Sequence, residues 1–282
     1  MSSALTVPLR GGPYALAAGP DGRMWVTLAH SGEIAAVAAD GAATVFPVAP
    51  EAKPSQIVAG ADGAMWFTRN GDGHIGRISV DGTQSSFPLS EGSTPYGLVN
   101  GPDGCVWFTE TTQGGIGRIT PTGEVSTELV VRGSPSMICC GPDNALWFTL
   151  NTGNAIGRLD PRGDYTVREV PTPNAGPVGI AATHDDAVWF TEIRADKLGR
   201  IPVDDAMQEM PLPGRPHAVL ADPSGGVWVS LWAGDQLARV TAEGEITTFD
   251  LPPGSEPHGL AVGPDGAVWV ALECGFVQRL PV

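Results

Sequence analysis

The chain has 282 residues with 38 glycines and 26 prolines, so turn-forming residues are about twice as frequent as in an average globular protein. Hydrophobic residues make up 42% of the chain, which excludes an intrinsically disordered protein, and the glycines lack the three-residue period of collagen. A net charge of −15 argues against nucleic acid and acidic membrane surfaces as partners.

No segment approaches twenty consecutive apolar residues, and the N-terminal sequence lacks the basic start and apolar core of a signal peptide. We therefore expect a cytoplasmic protein that does not enter a membrane. The cysteines show neither metal-ligand spacing nor a disulfide framework, which predicts structural roles for all of them. They are Cys105, Cys139, Cys140 and Cys274.

A short strand is predicted at residues 4–9, and a repeat of 39–42 residues follows it along the rest of the chain. Aligned on its tryptophan, the consensus unit has a proline, a few apolar residues, a Gly-Pro-Asp-Gly turn, a tryptophan between apolar residues, a threonine, an Ile-Gly-Arg-Ile segment and a second tight turn. The fifth unit departs from it at the first turn, residues 183–186, and the seventh unit departs from it at the Ile-Gly-Arg-Ile segment, residues 276–279. The tryptophans that define the seven units are Trp25, Trp66, Trp107, Trp147, Trp189, Trp228 and Trp269.

Four short apolar runs separated by Asp-Gly-type turns predict four antiparallel strands in each unit. Four-stranded units at this period are typical of a β-propeller. The seventh unit ends after its third strand, and residues 4–9 resemble the missing fourth strand. We therefore predict an all-β, seven-bladed β-propeller whose N-terminal strand completes the last blade, with residues 1–282 forming a single domain.

Residues that recur from unit to unit are expected to be structural. The repeated tryptophans predict packing between blades. The arginine of the Ile-Gly-Arg-Ile segment recurs too regularly to be catalytic, at Arg77, Arg118, Arg158, Arg200, Arg239 and Arg279.

Function is expected where one unit differs from the others. Directly after the repeat proline, two successive units carry His217 and His258, and four residues after the last repeat tryptophan the chain carries Glu273. Antiparallel pairing places the start of the first strand and the end of the second at one edge of a blade, which we call the rim. His258 and Glu273 are therefore expected to meet there, with Trp232 beside them and Tyr14 brought near by closure of the propeller.

Glu256 is expected to join this set because Pro257 favours an extended segment, in which Glu256 and His258 point the same way. Two carboxylates match the ligands that Mg²⁺ prefers, and a histidine suits proton abstraction at neutral pH. His258 is the candidate base and His217 a candidate substrate contact, with His30 as a further contact. The alternative is that all of these are solvated loop residues.

The repeat, together with Arg-Pro-His at 215–217, Glu-Pro-His-Gly at 256–259 and Trp-Val-Ala-Leu-Glu at 269–273, resembles the virginiamycin B lyase, or streptogramin B lyase, family over essentially the whole chain. The resemblance implies that His217 binds substrate, that Glu256 and Glu273 coordinate Mg²⁺, and that His258 is the general base. It also implies a reaction: opening of a cyclic depsipeptide antibiotic of the type B streptogramin class at its ester, by elimination.

Two other functions remain open at this point. One is a metal-dependent lactonase or esterase, which would add water to the ester. The other is a non-catalytic propeller that binds a ligand or a protein. The acidic surface and the closed ring favour a monomer.

Overall fold

The computed structural model describes residues 5–202 and 205–280. These residues form seven four-stranded antiparallel sheets, and the architecture is the predicted seven-bladed β-propeller. Within the described ranges the single helical element is a 3₁₀ turn at Trp232–Gly234. No helix among these residues has the length and apolar character needed to cross a bilayer.

Contacts divide the chain into two compact units. The first unit runs up to Leu129 and resumes at His258, and it holds blades 1, 2, 3 and 7. Their strands are, in blade 1, β2 (Pro13–Ala18), β3 (Met24–Leu28), β4 (Glu33–Val37) and β5 (Ala43–Pro47); in blade 2, β6 (Pro54–Ala59), β7 (Met65–Arg69), β8 (His74–Ile78) and β9 (Gln84–Pro88); in blade 3, β10 (Pro95–Asn100), β11 (Val106–Glu110), β12 (Gly115–Ile119) and β13 (Val125–Val130); and in blade 7, β26 (Pro257–Val262), β27 (Val268–Leu272), β28 (Phe276–Arg279) and β1 (Leu5–Pro8).

The second unit, Val130–Pro257, holds blades 4, 5 and 6. Their strands are, in blade 4, β14 (Pro135–Cys140), β15 (Leu146–Leu150), β16 (Ala155–Leu159) and β17 (Tyr165–Glu169); in blade 5, β18 (Pro177–Thr183), β19 (Ala187–Glu192), β20 (Lys197–Pro202) and β21 (Gln208–Pro211); and in blade 6, β22 (Pro216–Ala221), β23 (Val227–Leu231), β24 (Gln236–Val240) and β25 (Ile246–Asp250). The prediction that residues 1–282 form one domain stays a prediction.

The N-terminal strand completes blade 7, as predicted. Strand β1 pairs antiparallel with β28, and Val7 lies opposite Val277. Both valines are buried in a cluster that blades 1 and 7 share. The sheet order β1-β28-β27-β26 therefore joins the beginning of the described chain to its end.

The repeated tryptophan, aspartate and arginine contact one another through hydrogen bonds within a blade. In blade 2, Trp66 donates its indole N–H to Asp62 at 3.0 Å, and Arg77 donates to the other oxygen of that carboxylate at 2.7 Å. The Arg77 guanidinium also lies 5.8 Å from the Trp66 ring centroid. The same acid–arginine pair recurs as Asp103–Arg118, Asp143–Arg158, Asp185–Arg200, Asp222–Arg239 and Asp265–Arg279. These contacts confirm the structural interpretation of the repeated arginines.

The repeat threonine links blades 1, 2, 4 and 5 each to the next blade. In blade 5, the buried hydroxyl of Thr191 accepts the N–H of Gly179 at 2.8 Å and donates to the carbonyl of His217, in blade 6, at 2.8 Å. The pairing register of β18 and β19 shifts between Pro177 and Ile180, so the hydroxyl satisfies backbone groups at a β-bulge. Equivalent hydroxyl bonds to the next blade come from Thr27, Thr68 and Thr149.

Candidate functional site

In blades 1 to 6 a bulge in the first strand determines which side chain stands at the rim. Blade 7 places His258 directly after Pro257, at the position of Tyr14 in blade 1 and Tyr96 in blade 3. A bulge redirects a side chain out of the regular alternation of a strand. Each blade therefore presents one residue, the one directly after the repeat proline, at the rim. This residue varies between blades, so a functional side chain can occupy the position without changing the repeated fold.

The backbone before the repeat proline differs from the sequence prediction. Glu256 has a φ of 48°, in the left-handed region. The prediction of an extended segment from Glu256 to His258 is therefore wrong. Its N–H donates to Asp235 Oδ1 at 3.0 Å. Lys53 and Arg215, the equivalent residues of blades 2 and 6, have φ of 44° and 55°. Proline disfavours the right-handed helical region for the residue before it, and the left-handed region stays accessible.

His258 and Glu273 meet at the rim of blade 7, as predicted. The Nε2 atom of His258 lies 2.5 Å from one oxygen of the Glu273 carboxylate. His258 is buried and the side chain of Glu273 is 23% exposed. The imidazole is therefore held against a carboxylate that solvent still reaches.

A second histidine contacts the same carboxylate. The Nε2 atom of His30, in the loop after β3, lies 2.7 Å from the other oxygen of Glu273. The sequence predicts His30 only as a substrate contact, and the structure places it in direct contact with Glu273. Both carboxylate oxygens thus contact imidazole nitrogens, one buried and one largely exposed.

Two tyrosines extend the cluster toward blade 3. The ring of Tyr14 lies 4.6 Å from the ring of His258, and the Tyr14 hydroxyl makes a short hydrogen bond with the hydroxyl of Tyr96. Burial raises the pKa of the Tyr14 phenol well above its ordinary value, and the nearby Tyr96 and Glu273 raise it further. Tyr14 is therefore a neutral hydrogen-bonding group at physiological pH.

A cavity of about 440 Å³ opens beside this cluster, entirely within the first unit. Its lining includes Tyr14, which packs on His258, and His30, which contacts Glu273. It also includes the positively charged side chain of Lys53, at the rim of blade 2. The lining residues are Tyr14, Ala29, His30, Lys53, Ser55, Asn70 and Tyr96. The sequence prediction missed Lys53, whose only signal was its position directly before a repeat proline.

The remaining predicted site residues lie in the second unit. His217 is partly exposed at the start of β22, and its carbonyl is fixed by Thr191. Trp232 lies in the 3₁₀ turn, with the Arg215 guanidinium 5.8 Å from its ring centroid. Glu256 is exposed. The approach of His217 and Glu256 to His258 and Glu273 stays a prediction.

The donor type of Glu273 fits a hard cation. Across residues 5–202 and 205–280, no three His, Cys, Asp or Glu side chains form a cluster that would hold a metal ion by themselves. Mg²⁺ commonly takes one or two protein carboxylates and completes its shell with water and substrate oxygens. The carboxylate of Glu273 is partly exposed and lies beside the cavity, so water and substrate oxygens can reach an ion bound to it. The residues present are therefore compatible with Mg²⁺.

Comparisons with known proteins agree with these features. The model of the virginiamycin B lyase family matches residues 3–280. The chain is 68% identical over 281 residues to virginiamycin B lyase of Mycolicibacterium smegmatis, with 100% of both chains covered. It is 69% identical over 273 residues to virginiamycin B lyase of Mycobacterium sp. strain JLS, with 97% of this chain and 98% of the relative covered.

Solved structures give the same result. A streptogramin B lyase structure superposes with a TM-score of 0.93 at 34% identity, covering 99% of this chain and 97% of the other. A catalytically inactive histidine-to-alanine variant of virginiamycin B lyase from Staphylococcus aureus, crystallised with quinupristin, superposes with a TM-score of 0.93 at 35% identity, covering 99% of each chain. This chain belongs to the virginiamycin B lyase family.

Proposed function

We propose that this chain is a Mg²⁺-dependent carbon–oxygen lyase that opens the ring of type B streptogramin antibiotics at the ester bond and thereby confers resistance. The lyase class follows from membership of the family, and the 68% identity over the full chain supports the substrate class. The observation that carries the catalytic assignment is the contact between His258 and Glu273 beside a rim cavity.

The reaction requires removal of a proton from the Cα atom of the residue that contributes the ester oxygen. The electron pair of that C–H bond forms a Cα–Cβ double bond as the Cβ–O bond breaks. The products are an unsaturated residue and a free carboxylate, and no water is consumed. A Cα proton is weakly acidic, so a lyase needs both a positioned base and electrostatic stabilisation of the developing negative charge.

His258 is the proposed base. A neutral imidazole has an ordinary pKa near physiological pH, which suits proton transfer from carbon. Its Nε2 atom contacts Glu273, so the carboxylate orients the ring and stabilises the imidazolium that forms after proton uptake. The aromatic ring of Tyr14 packs against the imidazole and further restricts its orientation.

Glu273 and Glu256 are the proposed ligands of Mg²⁺. When bound, the ion supplies Lewis-acid polarisation of a substrate carbonyl and so lowers the barrier to proton removal. His217 is the proposed substrate contact from the second unit. We further propose that the protein is a cytoplasmic monomer with no nucleic-acid or membrane partner. Light scattering of the purified chain tests the proposed monomeric state.

Replacing the proposed base tests the catalytic assignment. We expect His258→Ala to lower kcat on a type B streptogramin by at least about a thousandfold, because proton abstraction loses its base. His184→Ala is the matched control, since His184 is an exposed turn residue of blade 5. Circular dichroism and thermal melts verify that both variants are folded. A His258→Ala variant with wild-type turnover contradicts the assignment.

A further inference from the structure

The cavity beside the His258–Glu273 pair is lined by a positively charged side chain, that of Lys53, which the proposed mechanism does not use. Lys53 lines this cavity together with His30, which contacts Glu273, and Tyr14, which packs on His258. Lys53 therefore shares a cavity with one residue that contacts the proposed metal ligand and one that packs on the proposed base. All of these residues lie in the first unit.

Among the described residues Lys53 has no ion-pair partner, whereas the other lysine of the chain and the repeat arginines each have one. The chain has only one other lysine, Lys197, whose ammonium group lies 2.8 Å from Glu209. The repeat arginines are each engaged by a turn aspartate, as in the pair of Arg77 with Asp62. Among the described residues no acidic side chain lies within ion-pair distance of Lys53, although acidic residues outnumber basic ones by 31 to 16.

The local backbone holds the Lys53 stem at the cavity. Its φ of 44° is unusual for a residue with a side chain, and Pro54 follows directly. The hydroxyl of Ser55 donates to the Lys53 carbonyl at 3.2 Å. A Cβ atom added at Gly71 would lie 3.0 Å from Lys53 Cγ, so this glycine leaves room for the stem. The side chain is thus placed at the cavity by its surroundings and left free at its ammonium end.

Neutral polar groups complete this part of the cavity. The amide of Asn70 donates to the Pro95 carbonyl at 3.3 Å, which fixes the side-chain orientation. Ser55 is 7% exposed, and the Tyr96 hydroxyl is engaged by Tyr14. No carboxylate lines the cavity, so an anion entering it meets one full positive charge and several hydrogen-bonding groups.

We propose that Lys53 is a catalytic residue that binds the carboxylate leaving group of the elimination. This inference rests on the proposed function, because it is the elimination that generates a carboxylate. As the Cβ–O bond breaks, its electron pair moves onto the ester oxygen, and negative charge spreads over both oxygens of the new carboxylate. The Lys53 ammonium pairs with that charge, while the Cα proton goes to His258.

A cation at the leaving group accelerates the reaction only if its interaction strengthens as charge develops. The ester group is neutral in the substrate, and the carboxylate formed from it carries one negative charge shared by its two oxygens. Lys53 therefore contributes little to substrate binding and more to bond breaking and to the affinity for product. This difference separates a catalytic role from that of a solvated surface lysine.

The test compares Lys53→Met and Lys53→Arg with the wild type. We expect Lys53→Met to lower kcat by about ten- to a hundredfold with KM changed less than about threefold, and Lys53→Arg to restore part of the loss. The dissociation constant of the purified linear product, measured by calorimetry, should rise by about tenfold or more in Lys53→Met. Arg162→Met removes one charge from an exposed turn and is the control.

The outcomes separate this inference from the proposed function. If the wild type opens the ring and Lys53→Met has the same kcat and the same product affinity, Lys53 is not a leaving-group residue and the lyase function stands. If the wild type does not open the ring, both fail together. If Lys53→Met and Arg162→Met lose activity equally, the effect is one of overall charge, and the assignment of Lys53 is overturned. Thermal melts establish that each variant is folded.

Discussion

At the scale of single residues, Glu273 is the centre of the proposed site because each oxygen of its carboxylate contacts an imidazole. Glu273→Gln keeps the shape of the side chain and removes its charge. We expect kcat to fall by at least about a hundredfold and Mg²⁺ affinity, measured by titration calorimetry, to fall by at least about tenfold.

Glu243→Gln is the control for that experiment, since Glu243 is exposed in a turn of blade 6. Equal Mg²⁺ affinity of the wild type and of Glu273→Gln would contradict the assignment of Glu273 as a metal ligand. If the wild type itself binds no divalent cation, the metal dependence is wrong.

Glu192 is a second carboxyl with unusual surroundings, and its effect is on stability. It is fully buried, and neither of its oxygens has a hydrogen-bond partner among the described residues. Desolvation by burial, reinforced by Glu209 and opposed by Lys197, raises its pKa from 4.5 to about 7. Below pH 4.5 the carboxyl is protonated in the folded and the unfolded chain. As pH rises to about 7, only the unfolded chain ionises, so stability is lost over this window.

Glu192→Leu should therefore stabilise the protein, and blades 1, 4, 6 and 7 carry leucine at this position. We expect a gain of about 3 kcal/mol at pH 8 that shrinks toward pH 5, measured by denaturant unfolding at both values. Glu110→Leu, the same change in blade 3, should destabilise instead because Glu110 is hydrogen-bonded to Ser93. A gain for Glu192→Leu that does not vary with pH contradicts this account.

The sequence predicts residue contacts where they follow from strand topology. His258 and Glu273 were expected together because a first strand begins where a second strand ends, and they are together. The conformation of Glu256 was not predictable from Pro257, because proline leaves two backbone regions open to the preceding residue. Lys53 carries no pattern of its own, and its significance depends on a cavity that only the folded chain forms.

At the scale of elements, the hydroxyl link between blades determines how precisely the first strands are positioned. Thr191→Val keeps side-chain volume and removes one hydroxyl, which leaves the Gly179 N–H and the His217 carbonyl without this partner. We expect a loss of about 1–3 kcal/mol in the free energy of unfolding. Thr248→Val, in the exposed strand β25, should change it by less than about 0.5 kcal/mol. Equal effects of the two substitutions contradict a structural role for the link.

The repeat pattern predicts the strands and their turns because the hydrophobic alternation and the Asp-Gly signals are local. The threonine was visible in the pattern, but its bond reaches a carbonyl about 28 residues away in the next blade, as from Thr27 to Ser55. Such a partner depends on how neighbouring blades pack. Periodicity within one repeat does not contain that information.

At the scale of the whole molecule, pairing of the first strand with the last lets residues at the two ends of the chain share a core. Val7 is buried within that core, whereas Thr6 points to the exposed face of β1. Val7→Asp should lower the free energy of unfolding by more than about 3 kcal/mol, because it buries a charge without a partner. Thr6→Asp should change it by less than about 0.5 kcal/mol. Equal, small effects in denaturant unfolding would contradict the contribution of β1 to the core.

The mass of the product tests the central claim most directly. A type B streptogramin is incubated with the protein and Mg²⁺, and in parallel with excess chelator, and the products are identified by mass spectrometry. Elimination predicts a linear product with the same mass as the substrate, formed with Mg²⁺ and not with chelator. A product heavier by one water would mean hydrolysis and contradict the lyase mechanism, and an intact ring in both reactions would contradict the proposed substrate.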